Sequence, residues 1–431
     1  MMNSRFKLAV VTSSTCLMIL LLFGAVIGKS AGPEDPYRHL AVFSEVLSRI
    51  KSDYVEEPDV KNVTLGALNG LLESIDPYAS YLNAEQYKQW SKNKDQNRAN
   101  VGLILSKKYG YIGVVDAIPG SPADKAGIGS LDMLESIKGV STQNMPLAYA
   151  ELLLQGDPGS TIDVQVLRVR RPEPQKVTLT RAHIKLPPVA SRMLSEEIGY
   201  VQAQSLESGK SQQIASVVQE LQNKGAKKLV LDVRSAAAGT HEEGVALANL
   251  FLDKGLITYL QGQKVSRQDF EAAAAKAKFK MPLAVITNRG TASSAEIVAA
   301  ALLDSKRADV IGERTYGDAA VRKPITMDDG SAVILSVAKY YSPSGKAIQD
   351  TGVTPNVPVT EAEAQVEDPD GENPPQPEPQ QPAEDLLLKK AVEVLTKGAA
   401  QASSGNPEKG TEVDPVKRRV PPTTVRPEQK Q

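Results

Sequence analysis

The chain has 431 residues, of which 41% are hydrophobic and 23% charged, and its net charge is −1. This length accommodates two or three globular domains, and the near-neutral charge gives no indication of a nucleic-acid-binding surface. The single cysteine, Cys16, lies in an N-terminal apolar segment, which leaves no thiol for a disulfide, a cysteine nucleophile or a thiolate metal site elsewhere. The chain has three histidines, so we expect neither a histidine-based metal cluster nor a cofactor.

The N-terminus predicts export. Arg5 and Lys7 precede a mostly apolar stretch that ends near Gly28, which is typical of a signal peptide. The same stretch is long enough for a retained membrane helix, which needs about 20 apolar residues. Residues 1–31 are therefore assigned to a signal peptide or a membrane anchor. The expected location is the bacterial periplasm, either free or anchored to the inner membrane.

Patterning along the rest of the chain predicts a multi-domain α/β protein. Apolar residues recur at helical spacing early on, a β-rich stretch with Gly-Pro turns follows, and strands then alternate with helices. Beyond residue 360 the composition turns rich in Pro, Glu and Gln, which is typical of disorder. The predicted segments are a helical segment at 37–98, a β-rich domain at 99–185, an α/β core at 186–360, a Pro/Glu-rich linker at 361–384, an amphipathic helix at 385–398 and a disordered tail at 399–431.

Four segments, in this order along the chain, resemble the carboxyl-terminal processing (tail-specific) serine peptidase family. They are GLLESIDPY at 70–78, GSPADKAG at 120–127, LDVR at 231–234, and the stretch 293–349. The second segment is similar to the signature loop of a PDZ domain. The resemblance implies a PDZ domain at 99–185 and a crotonase-like core at 186–360 with a partly parallel sheet. It also implies that Ser293 stands at the position of the nucleophile.

The chain departs from the family pattern at the residues that activate this serine. Asp318 stands where the family has its catalytic lysine, and Arg322 where it has a glutamine. The oxyanion loop, Asn-Asn-Pro-Gly-Gly in the family, is Ser-Ala-Ala-Ala-Gly at 235–239, with Ala238 and Gly239 as its last two residues. A serine hydroxyl is a poor nucleophile until a base accepts its proton. The resemblance therefore predicts a peptidase homologue that has lost its chemistry.

Ser293 also has a structural interpretation. The sequence Ser-Ser-Ala-Glu at 293–296 matches the S-x-x-E capping box, in which the hydroxyl caps a helix. Among substitute bases, we expect Lys306 and Lys323 to point away from the serine. His241 follows the altered loop and is the remaining candidate, although we expect an exposed loop histidine there. Asp318 and Arg322 are expected to pair with each other.

The expected peptide-binding surface lies in the β-rich domain. Val101, Gly102, Leu103 and Ile104 resemble the loop and strand that receive a C-terminal carboxylate in PDZ domains. The expected partners are protein or peptide C-termini, with a homo-oligomer or an assembly with an active paralogue as a further expectation.

Three functions stay open from the sequence. The first is a non-catalytic homologue that binds C-terminal tails through its PDZ domain. The second is an active serine endopeptidase that uses Ser293 with a non-standard base. The third is a structural scaffold, in which the PDZ domain serves only as a lid or spacer.

Overall fold

A computed structural model describes residues 36–94, 98–108, 110–168, 173–360 and 385–403. The chain divides into two compact units, residues 1–71 and residues 72–431. In the first unit lie helix α1 (Pro36–Asp53) and most of helix α2 (Val60–Glu73). The carboxylate of Asp59 accepts hydrogen bonds from the first backbone N–H groups of α2, which fixes where that helix begins. The helical pattern of the sequence is confirmed here.

The second unit opens with a short strand and a helix, followed by a β-rich segment that we call the β-module (residues 99–182). In chain order these elements are β1 (Ser80–Leu82), α3 (Ala84–Lys94), β2 (Leu103–Lys108), β3 (Tyr111–Ala117), α4 (Pro122–Lys125), β4 (Met133–Ile137), β5 (Val140–Ser141), α5 (Leu147–Leu154), β6 (Thr161–Leu167) and β7 (Gln175–Thr180). The β-module sheet is antiparallel in the order β2-β3-β4-β6-β7, with β5 against β4. Alternate burial along β6 places one face of this sheet on the β-module's own hydrophobic core.

The remaining elements form the α/β core. They are β8 (Ala190–Met193), β9 (Ile198–Gln202), β10 (Ser205–Leu206), α6 (Lys210–Asn223), β11 (Lys228–Asp232), β12 (Ala238–Gly239), α7 (His241–Asn249), β13 (Leu256–Gln261), β14 (Gln268–Glu271), β15 (Leu283–Thr287), α8 (Ser294–Asp304), β16 (Asp309–Gly312), β17 (Ala320–Thr326), β18 (Ala332–Tyr341), β19 (Val357–Pro358) and α9 (Leu386–Ser403), with a 3-10 turn at Ala274–Lys276.

The main sheet of the core runs in the order β19-β16-β15-β11-β9-β8 and is parallel except for the β8–β9 pair. All five residues of β15 are buried, as expected for a strand that is covered on both faces. Because the carboxyl ends of parallel strands meet at one edge, the segments that follow β11 and β15 lie side by side there. The mixed α/β fold predicted from the sequence is confirmed.

A second, antiparallel sheet of the core was not predicted. It has the order β1-β18-β13-β14, with β17 also paired to β18. Of its strands, the sequence indicated only β18. The others are short or carry mixed polar and apolar residues, so local patterning does not reveal them. Only β1 and β13 pair with a strand distant in the chain, which is β18 for both.

Helix α9 confirms the predicted helix at 385–398 and extends beyond it to Ser403, so the first residues assigned to the disordered tail are helical. Leu387, Ala391 and Leu395 are buried in a cluster with side chains of the main sheet. Among the described residues, no helix is both long and apolar enough to cross a membrane. The segments assigned to the signal or anchor (1–31), to the linker (361–384) and to most of the tail (404–431) lie outside the described residues.

Candidate active site

Ser293 lies on a sharp turn between β15 and α8, at the edge where the parallel strands end. Its backbone has φ 55° and ψ −118°, a conformation that glycine adopts readily and that costs other residues about 1–3 kcal/mol. Asn288 fixes the neighbouring chain, because its Oδ1 accepts hydrogen bonds from Ser235 N at 2.9 Å and Gly290 N at 3.1 Å. The strained turn is therefore held from both sides, as is common for a residue placed for function.

Glu296 joins the serine turn to the segment that carries Asp318. Its side chain is fully buried. Its Oε2 accepts the backbone N–H of Ser293 at 2.9 Å and that of Asp318 at 2.7 Å. Its Oε1 accepts from Gly317 N at 2.7 Å and from the hydroxyl of Thr315. One carboxylate thus fixes the backbone at both Ser293 and Asp318.

Burial raises the pKa of Glu296 to about 7, while the hydrogen bonds from Thr315 and from the backbone at 317 and 318 oppose that rise. The sequence assigned Glu296 to a helix cap, and its bond to Ser293 N confirms that part of the capping box. Its bonds to residues 315–318 were missed. No local pattern indicates a partner about 20 residues further along the chain.

Asp318 and Arg322 form an ion pair, so the expected pairing is confirmed. Their side chains are 20% and 27% exposed. The guanidinium of Arg322 also lies over the ring of Tyr78, 4.0 Å from its centre, which adds a cation–π contact. Burial raises the pKa of Asp318, and the Arg322 charge counteracts this. Positions 318 and 322 therefore hold an acid and a cation that pair with each other.

His241 lies beside the serine, and the expectation of an exposed loop histidine is wrong. It is the first residue of α7, and Nε2 lies 3.4 Å from Ser293 Oγ. Its ring stacks on Tyr340 of β18, with 4.3 Å between centres. This stacking holds the imidazole in a partly buried position. Burial lowers the pKa of His241 to about 4, so the ring is neutral at pH 7. Lys306 and Lys323 are exposed, as expected.

The altered oxyanion loop remains ordered against the start of α8. Ala238 and Gly239 form β12, which pairs in parallel with β10. Gly239 has φ 150°, and a Cβ there would lie 2.3 Å from Leu206 O and 2.7 Å from Ser294 Oγ. The loop thus approaches the nucleophile turn closely without the proline and first glycine of the family pattern. One of its donors is already used, since Ser235 N–H bonds to Asn288 Oδ1 at 2.9 Å.

The four residues predicted to bind peptide lie at the start of β2 and just before it, at the edge of the β-module sheet. Val101 and Gly102 are buried, and Leu103 and Ile104 are partly buried. Gly102 has φ 80°, and a Cβ there would lie 2.3 Å from the Cβ of Ser121. Its N–H donates to Asn100 Oδ1 at 2.7 Å. A side-chain oxygen of the same chain thus holds a donor that a peptide carboxylate would otherwise take.

Tyr316 connects the β-module to the segment of Asp318. Its hydroxyl hydrogen-bonds to Ser106 of β2, and its ring packs edge-on against Tyr78 at 6.3 Å. Both tyrosines belong to the hydrophobic cluster of the β-module. The side chain of Tyr316 therefore lies between strand β2 and the segment that carries Asp318. Within the described ranges, no group of three or more His, Cys, Asp or Glu side chains is arranged to hold a metal ion.

Comparison with known proteins gives consistent results. Residues 197–359 match Peptidase family S41. The chain is 32% identical over 350 residues to the carboxy-terminal processing protease CtpA of Bacillus subtilis, covering 81% of this chain and 74% of that protein. It is 30% identical over 331 residues to a carboxy-terminal-processing protease of Bartonella bacilliformis, covering 76% of each. A solved photosystem II D1 C-terminal processing protease superposes with a TM-score of 0.61 at 26% identity, over 74% of this chain and 92% of that one.

Proposed function

Because the chain belongs to the carboxyl-terminal processing peptidase family, we propose that it is a homologue that binds protein C-termini and does not cleave peptide bonds by serine–lysine chemistry. One observation carries the proposal: the Asp318–Arg322 ion pair occupies the positions of the catalytic lysine and glutamine.

The ion pair removes the base and adds an unfavourable charge. A carboxylate that is already paired with a guanidinium is a weak proton acceptor near pH 7. Its negative charge also opposes the oxyanion that develops during acyl transfer. Neither Lys306 nor Lys323 substitutes, because both side chains are exposed to solvent.

Tail binding rests on the β-module, which we assign as a PDZ domain attached to a crotonase-like core. Strand β2 lies at the edge of its sheet, and an extended peptide can add to such an edge. A tail carboxylate would replace Asn100 Oδ1 as the acceptor for Gly102 N–H. The apolar groove would then be formed by β2 and helix α5, with the peptide lying along Leu103 and Ile104.

The cellular setting belongs to the same proposal. The N-terminal pattern supports export to a bacterial periplasm, and the proposal includes an assembly with an active paralogue, since the relatives are named carboxy-terminal processing proteases. A chain that holds tails without cutting them would present or protect them. If the β2 edge binds no peptide, the scaffold function is favoured instead.

A binding experiment and a cleavage experiment together test the proposal. The purified full chain is mixed with a fluorescent peptide that ends in a free carboxylate, and with the same peptide amidated. We expect the free acid to bind at least about tenfold more tightly, since the carboxylate supplies charge-assisted hydrogen bonds. We expect no cleavage of an unfolded protein substrate.

The matched glycine variants locate the binding site. Gly102→Ala should weaken binding at least about tenfold, because its new Cβ collides with Ser121. Gly129→Ala meets nothing within 4 Å and should bind as the wild type does. Equal binding of acid and amide would contradict tail recognition. Protein cleavage that disappears in Ser293→Ala would contradict the loss of peptidase activity.

A further inference from the structure

We propose that Ser293 and His241 form a nucleophile–base pair that hydrolyses activated acyl esters, such as aryl esters and thioesters. This activity goes beyond tail binding, and it uses neither the lysine position nor the peptide-binding edge. Its geometric basis is the 3.4 Å separation between Ser293 Oγ and His241 Nε2. Pairs of this kind are often looser in the free protein than in the reacting complex.

Both members of the pair are held in place by the fold. His241 is the first residue of α7, and its imidazole stacks on the ring of Tyr340 with an angle of 27° between the two ring planes. Ser293 is fixed by its strained turn and by the bond from its N–H to Glu296 at 2.9 Å. Its side chain is partly exposed, so a small acyl compound can reach the hydroxyl. The fixed nucleophile and base need no large rearrangement before reaction.

The electrostatics of the histidine select the leaving group. Burial is the main cause that lowers the pKa of His241, with Arg322 acting in the same direction and Glu242 in the opposite one. The ring is therefore in the proton-accepting form at neutral pH but is a weak base. A weak base suffices when the leaving group departs as a stable anion. An amide leaving group must itself be protonated, so peptide bonds lie outside this chemistry.

The start of helix α8 can stabilise the oxyanion. The N–H groups of Ala295 and Glu296 bond within the first turn, to Ala292 O and Ser293 O, so the contribution of α8 is its dipole, which favours negative charge at this end of the helix. Gly239 of the oxyanion loop lies directly against Ser294, the first residue of α8. The reacting carbonyl oxygen would therefore sit between the loop and the helix, beside Ser293.

The reaction balances with water as the only co-reactant. Ser293 Oγ bonds to the carbonyl carbon as its proton passes to His241 Nε2, and the bond to the aryl oxygen or thiol sulfur breaks. The leaving group departs as an aryloxide or thiolate anion, His241 gives the proton to solvent, and an acyl-serine remains. Water then attacks the acyl carbon, gives a proton to His241 and releases the carboxylic acid, while Ser293 Oγ regains its proton.

The test is hydrolysis of p-nitrophenyl acetate by the purified full chain, followed by mass spectrometry of the acylated protein. We expect Ser293→Ala and His241→Gln each to lower the enzymatic rate at least about tenfold. His183→Ala, which changes an exposed histidine outside the site, should leave the rate unchanged. The acetyl group should map to Ser293.

The dependence on pH distinguishes this pair from a surface histidine. The rate follows the neutral fraction of His241, so it should be constant above about pH 6 and fall to half near pH 4, where the pKa of His241 lies. A Ser293→Ala variant as fast as the wild type would overturn the proposal. Full acylation of Ser293 in His241→Gln would overturn the role of the histidine. Binding of the free-acid peptide, measured on the same variants, should not change, so tail binding and esterase activity fail or succeed separately.

Discussion

The Glu296 carboxylate joins two segments, one with Ser293 and one with Asp318. They differ in how far their residues match the family pattern. On one side, Ser293 has a strained turn and a bond to Glu296, and Gly239 lies against the neighbouring Ser294. On the other, Asp318 keeps the backbone bond to the same carboxylate oxygen at 2.7 Å, but its side chain is an acid paired with Arg322. Backbone hydrogen bonds position both segments, and they do not depend on the side chain at 318. The backbone frame of the site therefore does not depend on which side chain stands at 318.

The largest effect on stability is expected at Glu296, which bonds to both segments. Glu296→Gln keeps the size of the side chain but turns an NH₂ group towards backbone N–H donors that now bond to the carboxylate. Each buried donor left without an acceptor costs about 1–3 kcal/mol. We expect the free energy of unfolding to fall by about 2–4 kcal/mol, measured by urea denaturation followed by circular dichroism.

Glu220→Gln serves as the matched control, because Glu220 is exposed on α6 and its change should stay within about 0.5 kcal/mol. If Glu296→Gln were as stable as this control, the backbone bonds to Glu296 would not be what holds the two sides together.

Changes at Asp318 and Arg322 should have an intermediate effect on the free energy of unfolding. Arg322→Gln leaves the carboxylate of Asp318 without its cation and removes the contact with Tyr78, so we expect a loss of about 2 kcal/mol. Asp318→Asn leaves Arg322 over the ring and should cost less, about 1 kcal/mol. The double variant should lose less than the sum, because each single change already breaks the pair.

Lys323→Gln, next to Arg322 on β17 but exposed, should leave the midpoint of thermal unfolding unchanged. If the losses of unfolding free energy for the changes at 318 and 322 were strictly additive, the ion pair would contribute nothing to stability.

The features of the Ser293 and Asp318 segments could be predicted from the sequence only in part. The four motif segments were enough for the family, and the alternation of strands and helices was enough for the mixed α/β fold. The residues at 318 and 322 indicated the ion pair, and the S-x-x-E pattern indicated the link from Glu296 to Ser293. Strand β17 also has a register shift between Val321 and Arg322, which local patterning does not show.

The contact of His241 with Ser293 was missed for a different reason. The two residues are 52 apart in the chain, and the ring is placed by Tyr340, a residue of the antiparallel sheet that the sequence did not indicate. Propensity and periodicity describe local structure, whereas this contact depends on how β18 crosses α7. Long-range packing of this kind is the part of the site that a single sequence leaves open.

The smallest change in stability is expected at Ser293, and it tests whether the surrounding structure holds this serine in a strained backbone conformation. Because φ 55° suits glycine, Ser293→Gly should be more stable than Ser293→Ala by about 1 kcal/mol, even though glycine ordinarily costs stability. Ser305, at the other end of α8, has φ −75°, so Ser305→Gly should instead lower stability by about 0.5–1 kcal/mol. The measurement is the difference in unfolding free energy between the two variants at 293, with Ser305→Gly against Ser305→Ala as the opposite case. If glycine were the less stable choice at both positions, Ser293 would not be strained, and the nucleophile side would be an ordinary helix start.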